Sequence, residues 1–234
     1  MKRLGLLGGM SWESSVLYEK IINETVRERL GGVASADLII RSFNFSDIEC
    51  LQAAGQWDEA GAVLGRAAAA LEVAGAEAIV LCTNTMHQVA PAIEASISIP
   101  LLHIVDATGE AISKAGVKRV ALLGTRYTMG HPFYREALAQ RYDLEVVVPS
   151  EHEREAIHRI IYDELVQGII SSASKKQVLD IIDRLSADDA VTGAIAGCTE
   201  IELLVGSDDV DIAYFPTTTL HARHAAHFAL EGDN

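Results

Sequence analysis

Two loops almost half a chain apart constrain this sequence most. One reads Leu81-Cys82-Thr83-Asn84-Thr85 and the other Gly197-Cys198-Thr199-Glu200. Each follows a short apolar run of strand character and precedes a run that can be helical. A second pair of segments repeats the spacing. Lys2-Arg3-Leu4-Gly5-Leu6-Leu7-Gly8 resembles Lys118-Arg119-Val120-Ala121-Leu122-Leu123-Gly124, at an offset of 118 − 2 = 116 residues. From Thr83 to Cys198 the offset is 198 − 83 = 115. A period this long describes two related domains rather than a solenoid of short repeats. In open α/β sheets, ligands bind beyond the carboxyl ends of the strands. The expectation is a pseudo-twofold pair of α/β domains whose loops, near Gly8, Thr83, Gly124 and Cys198, meet across one cleft.

Strands alternating with helices argue for mainly parallel sheets. Strands are expected at 3–8, 37–43, 78–82, 100–104, 117–123, 144–148, 193–196 and 211–215. Ser11 or Ser14 is expected to cap a helix running to about Arg29, which Gly31-Gly32 ends. Further helices are expected at 57–74, 89–95 (broken beyond Pro91), 108–115, 133–141, 151–166, 175–185, 201–205 and from Pro216 to the end.

The 234 residues fit one large or two small domains, and 49% are hydrophobic, enough for well-buried cores. The net charge of −14 argues against nucleic acid, which is bound by neutralising phosphates with Lys and Arg. A small anion is still compatible, because helix N-termini and one or two Arg can make a cleft locally positive. No apolar run reads as a membrane span, and the apolar part of the N-terminus is too short for a signal peptide. Three cysteines without a secretion signal read as reduced thiols in the cytoplasm.

Several segments carry chemistry. Gly5-Leu6-Leu7-Gly8-Gly9-Met10-Ser11 is either a tight strand-to-helix turn or a cradle for an anion; it lacks nucleotide-binding spacing. Adjacent strand residues face opposite ways, so a Thr83 aimed at a ligand leaves Cys82 as a small apolar core group. Asn84 and Thr85 open the next helix, where N–H groups can receive a carboxylate. Cys198 precedes a helix whose N-terminus would lower the thiol pKa, while Glu200 would oppose that. His221, His224 and His227, three apart, drift around a helix and read as a solvated or partly packed face rather than a metal site. His87 and His103 are single residues with no partner signal. No Gly-x-Ser-x-Gly elbow is present.

The two loop motifs, with Gly5–Ser14, Asn84-Thr85-Met86-His87 and Leu122–Met129, resemble the aspartate/glutamate racemase family over nearly the whole chain. The resemblance implies two α/β domains, 1–104 plus 215–234 and 105–214, and an active site in the cleft between them. It implies no pyridoxal phosphate or other cofactor, no metal, a small acidic amino-acid substrate, a homodimer, and two opposed bases acting at Cα. It places the catalytic pair at Thr83 and Cys198 and a substrate contact at Gln52; with Met10, Asn84, Thr85, Arg126, Thr199 and Glu200 this makes the expected set of substrate-binding residues.

The chain departs from the family pattern where the first catalytic cysteine usually stands: Thr83 takes its place, and Cys82 is one residue earlier. A hydroxyl is a much poorer base than a thiol. Cys198 is therefore expected to be the base and Thr83 the opposing donor, with unequal chemistry toward the two enantiomers. The basic residues that commonly hold the distal carboxylate are also missing; Ile48 and Val166 stand nearest, which leaves Arg126 and Gln52 as candidates. Hydantoin racemase, maleate isomerase and malonate decarboxylase are alternatives within the superfamily. A non-catalytic protein binding small carboxylates on the same scaffold is the alternative from another class.

Overall fold

The computed structural model describes residues 1–231; the last residues of the expected C-terminal segment, 232–234, lie outside the described residues. The chain divides into two compact units, Met1–Ile104 joined by the chain from His221, and Val105–Leu220. Each contains a four-stranded parallel sheet. In the first unit the strands are β1 (Leu4–Gly8), β2 (Leu38–Ser42), β3 (Ala78–Leu81) and β4 (Leu101–Leu102), in the order β2-β1-β3-β4. In the second they are β5 (Arg119–Gly124), β6 (Glu145–Val147), β7 (Gly193–Gly197) and β8 (Ala213–Pro216), in the order β6-β5-β7-β8. The two orders are the same, as the half-chain offset predicts. The expected domain boundary at 214/215 is corrected, because β8 is hydrogen-bonded in register to β7, with Ile195 opposite Phe215. Residues 215–220 therefore stay with the second unit, and the return to the first begins at His221.

Alternation along the strands explains the first unit's two-sided core. Leu4, Leu6, Ala78 and Val80 pack with Tyr18, Ile22 and Val26 of the helix Trp12–Leu30 and with Ala222, Ala225, Ala226 and Ala229 of the helix Thr217–Leu230. Leu7, Ile79 and Leu81 face the other way, onto Ala60, Leu64, Ala68 and Leu71 of the helix Trp57–Val73. Small residues in these helices let them lie close to the sheet. In the second unit Ala121, Leu123, Ala194 and Ala196 pack against Ile157 and against Val178, Ile181, Ile182 and Leu185 of the helix Ser172–Asp189.

Local chemistry sets the element ends. Gly31, at φ 77°, closes the first helix, and Gly75, at φ 98°, follows the Ala-rich one. Ser150 and Glu153 form a capping box at Glu151–Arg159. The expected helix over 151–166 is not uniform: Ile160–Glu164 widens to π geometry and Leu165–Gln167 tightens to 3-10 before Gly168 ends it. The expected break beyond Pro91 is also corrected. A 3-10 turn covers Thr85–Val89, and Pro91 sits in the first turn of the helix Ala90–Glu94, where its missing N–H costs nothing. Strand 100–104 shrinks to Leu101–Leu102 because a helix already starts at Ile104. Two helices escaped the sequence reading, Phe45–Ala53 and Arg126–Gly130. Both are short: the first carries its apolar contacts, Phe45, Ile48 and Leu51, over nine residues, and the second covers only five, too little chain to establish a helical period in the sequence.

Candidate active site

In the first unit the Thr83 loop leaves β3 beside the end of β1. The Cys82 N–H donates to the Leu7 carbonyl (2.9 Å), and the Thr83 N–H to that of Leu81 (2.8 Å). Cys82 is fully buried in the core face with Leu6, Val80 and Tyr18, as strand alternation predicts. Burial alone pushes its thiol pKa strongly up, so it is an inert apolar group. Thr83, Asn84 and Thr85 are all buried, in the turn that follows. Gln52, on the helix Phe45–Ala53, is buried too, and its Nε2 donates to the Met86 sulfur (2.9 Å). Met10 and Met86 share the core face with Ile48. The first unit thus brings Met10, Gln52 and the Thr83 loop to the carboxyl ends of β1 and β3.

The glycine turn after β1 is built as a tight turn. The Gly9 N–H is taken by Ser15 Oγ (2.7 Å), and the Phe43 N–H donates to the Gly8 carbonyl (3.0 Å). The N–H that an anion cradle would need at Gly9 is therefore already used.

In the second unit Cys198, Thr199 and Glu200 follow β7, and all three are buried. One carboxylate oxygen organises them. Glu200 Oε2 accepts from the Cys198 thiol (2.9 Å) and from the Thr199 hydroxyl (2.7 Å). Of the two opposed effects expected on the Cys198 thiol, that of Glu200 outweighs that of the helix N-terminus. The helix that follows is a single turn, Ile201–Leu204. Burial first, then the Glu200 charge and its hydrogen bond, push the Cys198 thiol pKa well up, against weaker help from backbone N–H groups. The resting group is a protonated thiol with a proton acceptor already in contact.

Strand pairing places Arg126 at the same end of this sheet. Gly124 of β5 lies opposite Gly197 of β7, and Thr125 and Arg126 follow immediately. The approach is close enough that a side chain at Gly124 would run into the Gly197 carbonyl. Thr125 caps the short helix through its Oγ1, which accepts from the Thr128 N–H (3.2 Å). The Arg126 side chain is half exposed and lies 3.9 Å from Glu155.

Sequence reasoning missed several groups beside these loops. His158 accepts the Arg126 N–H on Nδ1 (3.3 Å), and its ring packs on Tyr162 at 4.5 Å. Burial, then the nearby Arg126, push its pKa down to about 4. Glu202 receives the Thr218 N–H (2.6 Å) and the Thr219 N–H (3.3 Å) at the start of the last helix, and burial pushes its pKa up to about 7. His87, His103 and His221, read as solitary or surface groups, instead stack together in the first unit. Tyr162 is four residues from His158, but the partners that fix these groups in place, Arg126 for His158, Thr218 for Glu202 and Leu102 for His221, are remote in sequence and leave no local spacing signal. Among the described residues no group of three or more His, Cys, Asp or Glu is placed to hold a metal ion. No helix among them is long and apolar enough to cross a membrane.

Two sheets of the same order, with Thr83 and Cys198 at matching strand ends, accord with a match to the profile of the Asp/Glu/hydantoin racemase family over residues 7–225. The chain belongs to that family. A structure from Yersinia pestis, provisionally designated an Asp/Glu racemase, is 50% identical, with 99% of this chain and 100% of that one covered, at a TM-score of 0.91. An aspartate racemase homologue from Pyrococcus horikoshii OT3 is 36% identical at the same coverage, with a TM-score of 0.86. A curated relative, the broad specificity amino-acid racemase RacX of Bacillus subtilis (strain 168), is 31% identical over 91 residues. That match spans 39% of this chain and 39% of RacX.

Proposed function

We propose that this family member is a cofactor-independent amino-acid racemase acting on aspartate or glutamate. Cys198 removes the proton at Cα, and Thr83 returns one on the opposite face. The observation that carries the reading is the Cys198–Glu200 contact, a buried thiol whose proton already rests against a carboxylate oxygen at 2.9 Å. A thiol becomes a base only when it gives up its proton, and Glu200 is placed to receive it. Burial keeps water from competing for the reacting groups and strengthens the hydrogen bonds that stabilise the carbanionic state. Thr83 has a hydroxyl where the family usually has a thiol, so it serves better as a donor than as a base. Asn84, Thr85 and Thr199 are the candidate holders of the α-carboxylate, with Met10 and Gln52 beside them, and Arg126 is the candidate for the distal carboxylate. On this reading the enzyme is a cytoplasmic homodimer; its three cysteines are unpaired, Cys50 exposed and the other two buried.

The test is loss of the Cα–H signal in deuterium oxide, followed by NMR for L- and D-aspartate and L- and D-glutamate separately. Racemisation itself has an equilibrium constant of one, so exchange, not net conversion, reports each base by itself. Exchange is expected to be fast from the enantiomer that faces Cys198 and slow from the other, and to vanish in Cys198→Ala. Equal, rapid exchange from both would rule out a weak base at position 83. Binding of these amino acids without any exchange would favour the non-catalytic reading, which Thr83 keeps open. Exchange with a hydantoin but not with amino acids would move the chain to that branch of the superfamily.

A further inference from the structure

The His87 imidazole is bonded at both nitrogens, each time to backbone. Its Nδ1 lies 2.7 Å from the Thr83 carbonyl oxygen, and its Nε2 accepts the Ile104 N–H at 3.2 Å. A carbonyl only accepts and an amide N–H only donates. Nδ1 must therefore carry the proton and Nε2 the lone pair, which fixes one neutral tautomer. His221 is fixed in the opposite sense. Its Nε2 faces the Leu102 carbonyl at 2.7 Å, and its Nδ1 faces the Tyr18 hydroxyl at 2.9 Å. The ring of His87 packs against those of His103 and His221, with centroids at 4.5 and 5.7 Å. Two hydrogen-bonded links thus meet the same short stretch of chain: Tyr18 and His221 reach the Leu102 carbonyl of β4, and His87 joins the Ile104 N–H to the Thr83 carbonyl. All of these groups belong to the first unit, and Tyr18, His87 and His221 are buried.

We infer that His87 is a positioning residue for the proposed reaction: it fixes Thr83 by holding its main-chain carbonyl. The Thr83 carbonyl direction sets the turn out of β3, and with it the bearing of the Thr83 side chain. The 3-10 turn that follows starts at Thr85, and the His87 N–H donates to the Asn84 carbonyl, so that bond does not hold the Thr83 carbonyl. The imidazole ties it instead to the amide where β4 gives way to the next helix. The chemistry needs that precision, because a misplacement of an ångström at a proton donor can cost about a hundredfold in rate. Protonating His87 would set an Nε2–H against the Ile104 N–H and break the link. The titratable groups packed on the ring are His103 and His221, with Tyr18 behind His221, and none of them supplies a negative charge to favour the imidazolium. Burial and the two neighbouring imidazoles accordingly hold the His87 pKa well below the usual histidine range.

The inference rests on Thr83 returning a proton, so its test has one arm that uses activity and one that does not. Side-chain ¹⁵N NMR of the full chain, labelled at histidine, is expected to show His87 as the neutral Nδ1–H tautomer at pH 7 and still neutral at pH 5. An Nε2–H tautomer, or titration near pH 6.5, overturns the proposal whatever the activity. In the activity arm, inversion at Cα is compared with exchange that retains configuration, which needs Cys198 but not Thr83. His87→Phe, which keeps a ring but neither bond, is expected to lower the ratio of inversion to retention about tenfold or more. His87→Gln, which keeps a donor and an acceptor, should recover part of that loss. In a Thr83→Ala background, His87→Phe should lower the ratio no further, because the two act as a unit. Parallel loss of inversion and retention in His87→Phe, or an equal further loss in the Thr83→Ala background, overturns the positioning role. If the unaltered chain exchanges no Cα–H at all, the proposed function fails, and the tautomer measurement still decides the local geometry.

Discussion

At the Cys198 sulfur, two features of the surroundings act in the same direction. Burial removes the water that would solvate a thiolate, and the Glu200 carboxylate repels the negative charge while accepting the thiol hydrogen. Replacing Glu200 by Gln removes the charge and leaves the burial. The expected outcome is a lower thiol pKa, read as a downward move in the pH midpoint of iodoacetamide alkylation. The measurement belongs in a Cys50→Ser background, because Cys50 is exposed and would react first. An unchanged or raised midpoint would show that burial alone governs this thiol. The sequence displayed both residues two positions apart but not the sign of the net effect. That sign depends on whether the carboxylate folds back onto the sulfur or turns away.

At the scale of an element, the turn after β1 shows how one glycine serves a packing need. Gly9 has φ 84°, and a Cβ there would overlap the backbone N and O of Phe43, where the chain leaves β2. Gly55, at φ 67°, has open space around the same missing atom. Gly9→Ala is therefore expected to destabilise the fold by about 3 kcal/mol, combining an unfavourable backbone region with a clash that neither strand can relieve. Gly55→Ala should cost about 1 kcal/mol, from the backbone term alone. Urea unfolding of the two variants checks the difference; equal costs would mean that the Phe43 segment moves aside. The strands were legible as apolar runs between turn signals, and the long helices by periodicity. The short helices at 45–53 and 126–130 were not: the first shows its apolar contacts, Phe45, Ile48 and Leu51, over too short a stretch to establish a period, and the second is a five-residue helix capped by Thr125.

For the whole molecule, the buried histidines set an acid limit on stability. His158 has its folded pKa depressed to about 4, while an unfolded histidine titrates near 6.5. Between these values the unfolded chain binds the extra proton, so stability rises with pH across that window and falls as pH drops from about 6.5 toward 4. His87 contributes with the same sign. Glu202 works oppositely: with its folded pKa raised to about 7 against an ordinary 4.5, the folded chain binds more protons between these values. Its contribution is complete below about 4.5 and is lost as pH rises through 7. The urea midpoint of the unaltered chain, compared with His158→Gln at each pH from 4 to 8, isolates one term. The variant is expected to lose less stability between pH 6.5 and 4; a parallel pair of curves would mean that His158 already titrates as an ordinary histidine.

The sequence by itself determined the alternation of strands and helices, the repeat of one α/β plan at half-chain spacing, and the strand-end positions of Thr83 and Cys198. It also determined the burial of Cys82, because alternation along a strand and turn chemistry are local rules written in neighbouring residues. Only the tertiary structure decided which unit takes residues 215–220, since the pairing of β8 with β7 is a long-range choice. It alone turned His87, which had no partner signal, and His221, which read as part of a solvated or partly packed face, into buried and bonded links: Tyr18 is 203 residues from His221, and Leu102 is 119 from it. A histidine carries no hydropathy signal that separates a solvated ring from a bonded core ring. The distinction lies in partners that only folding brings within reach.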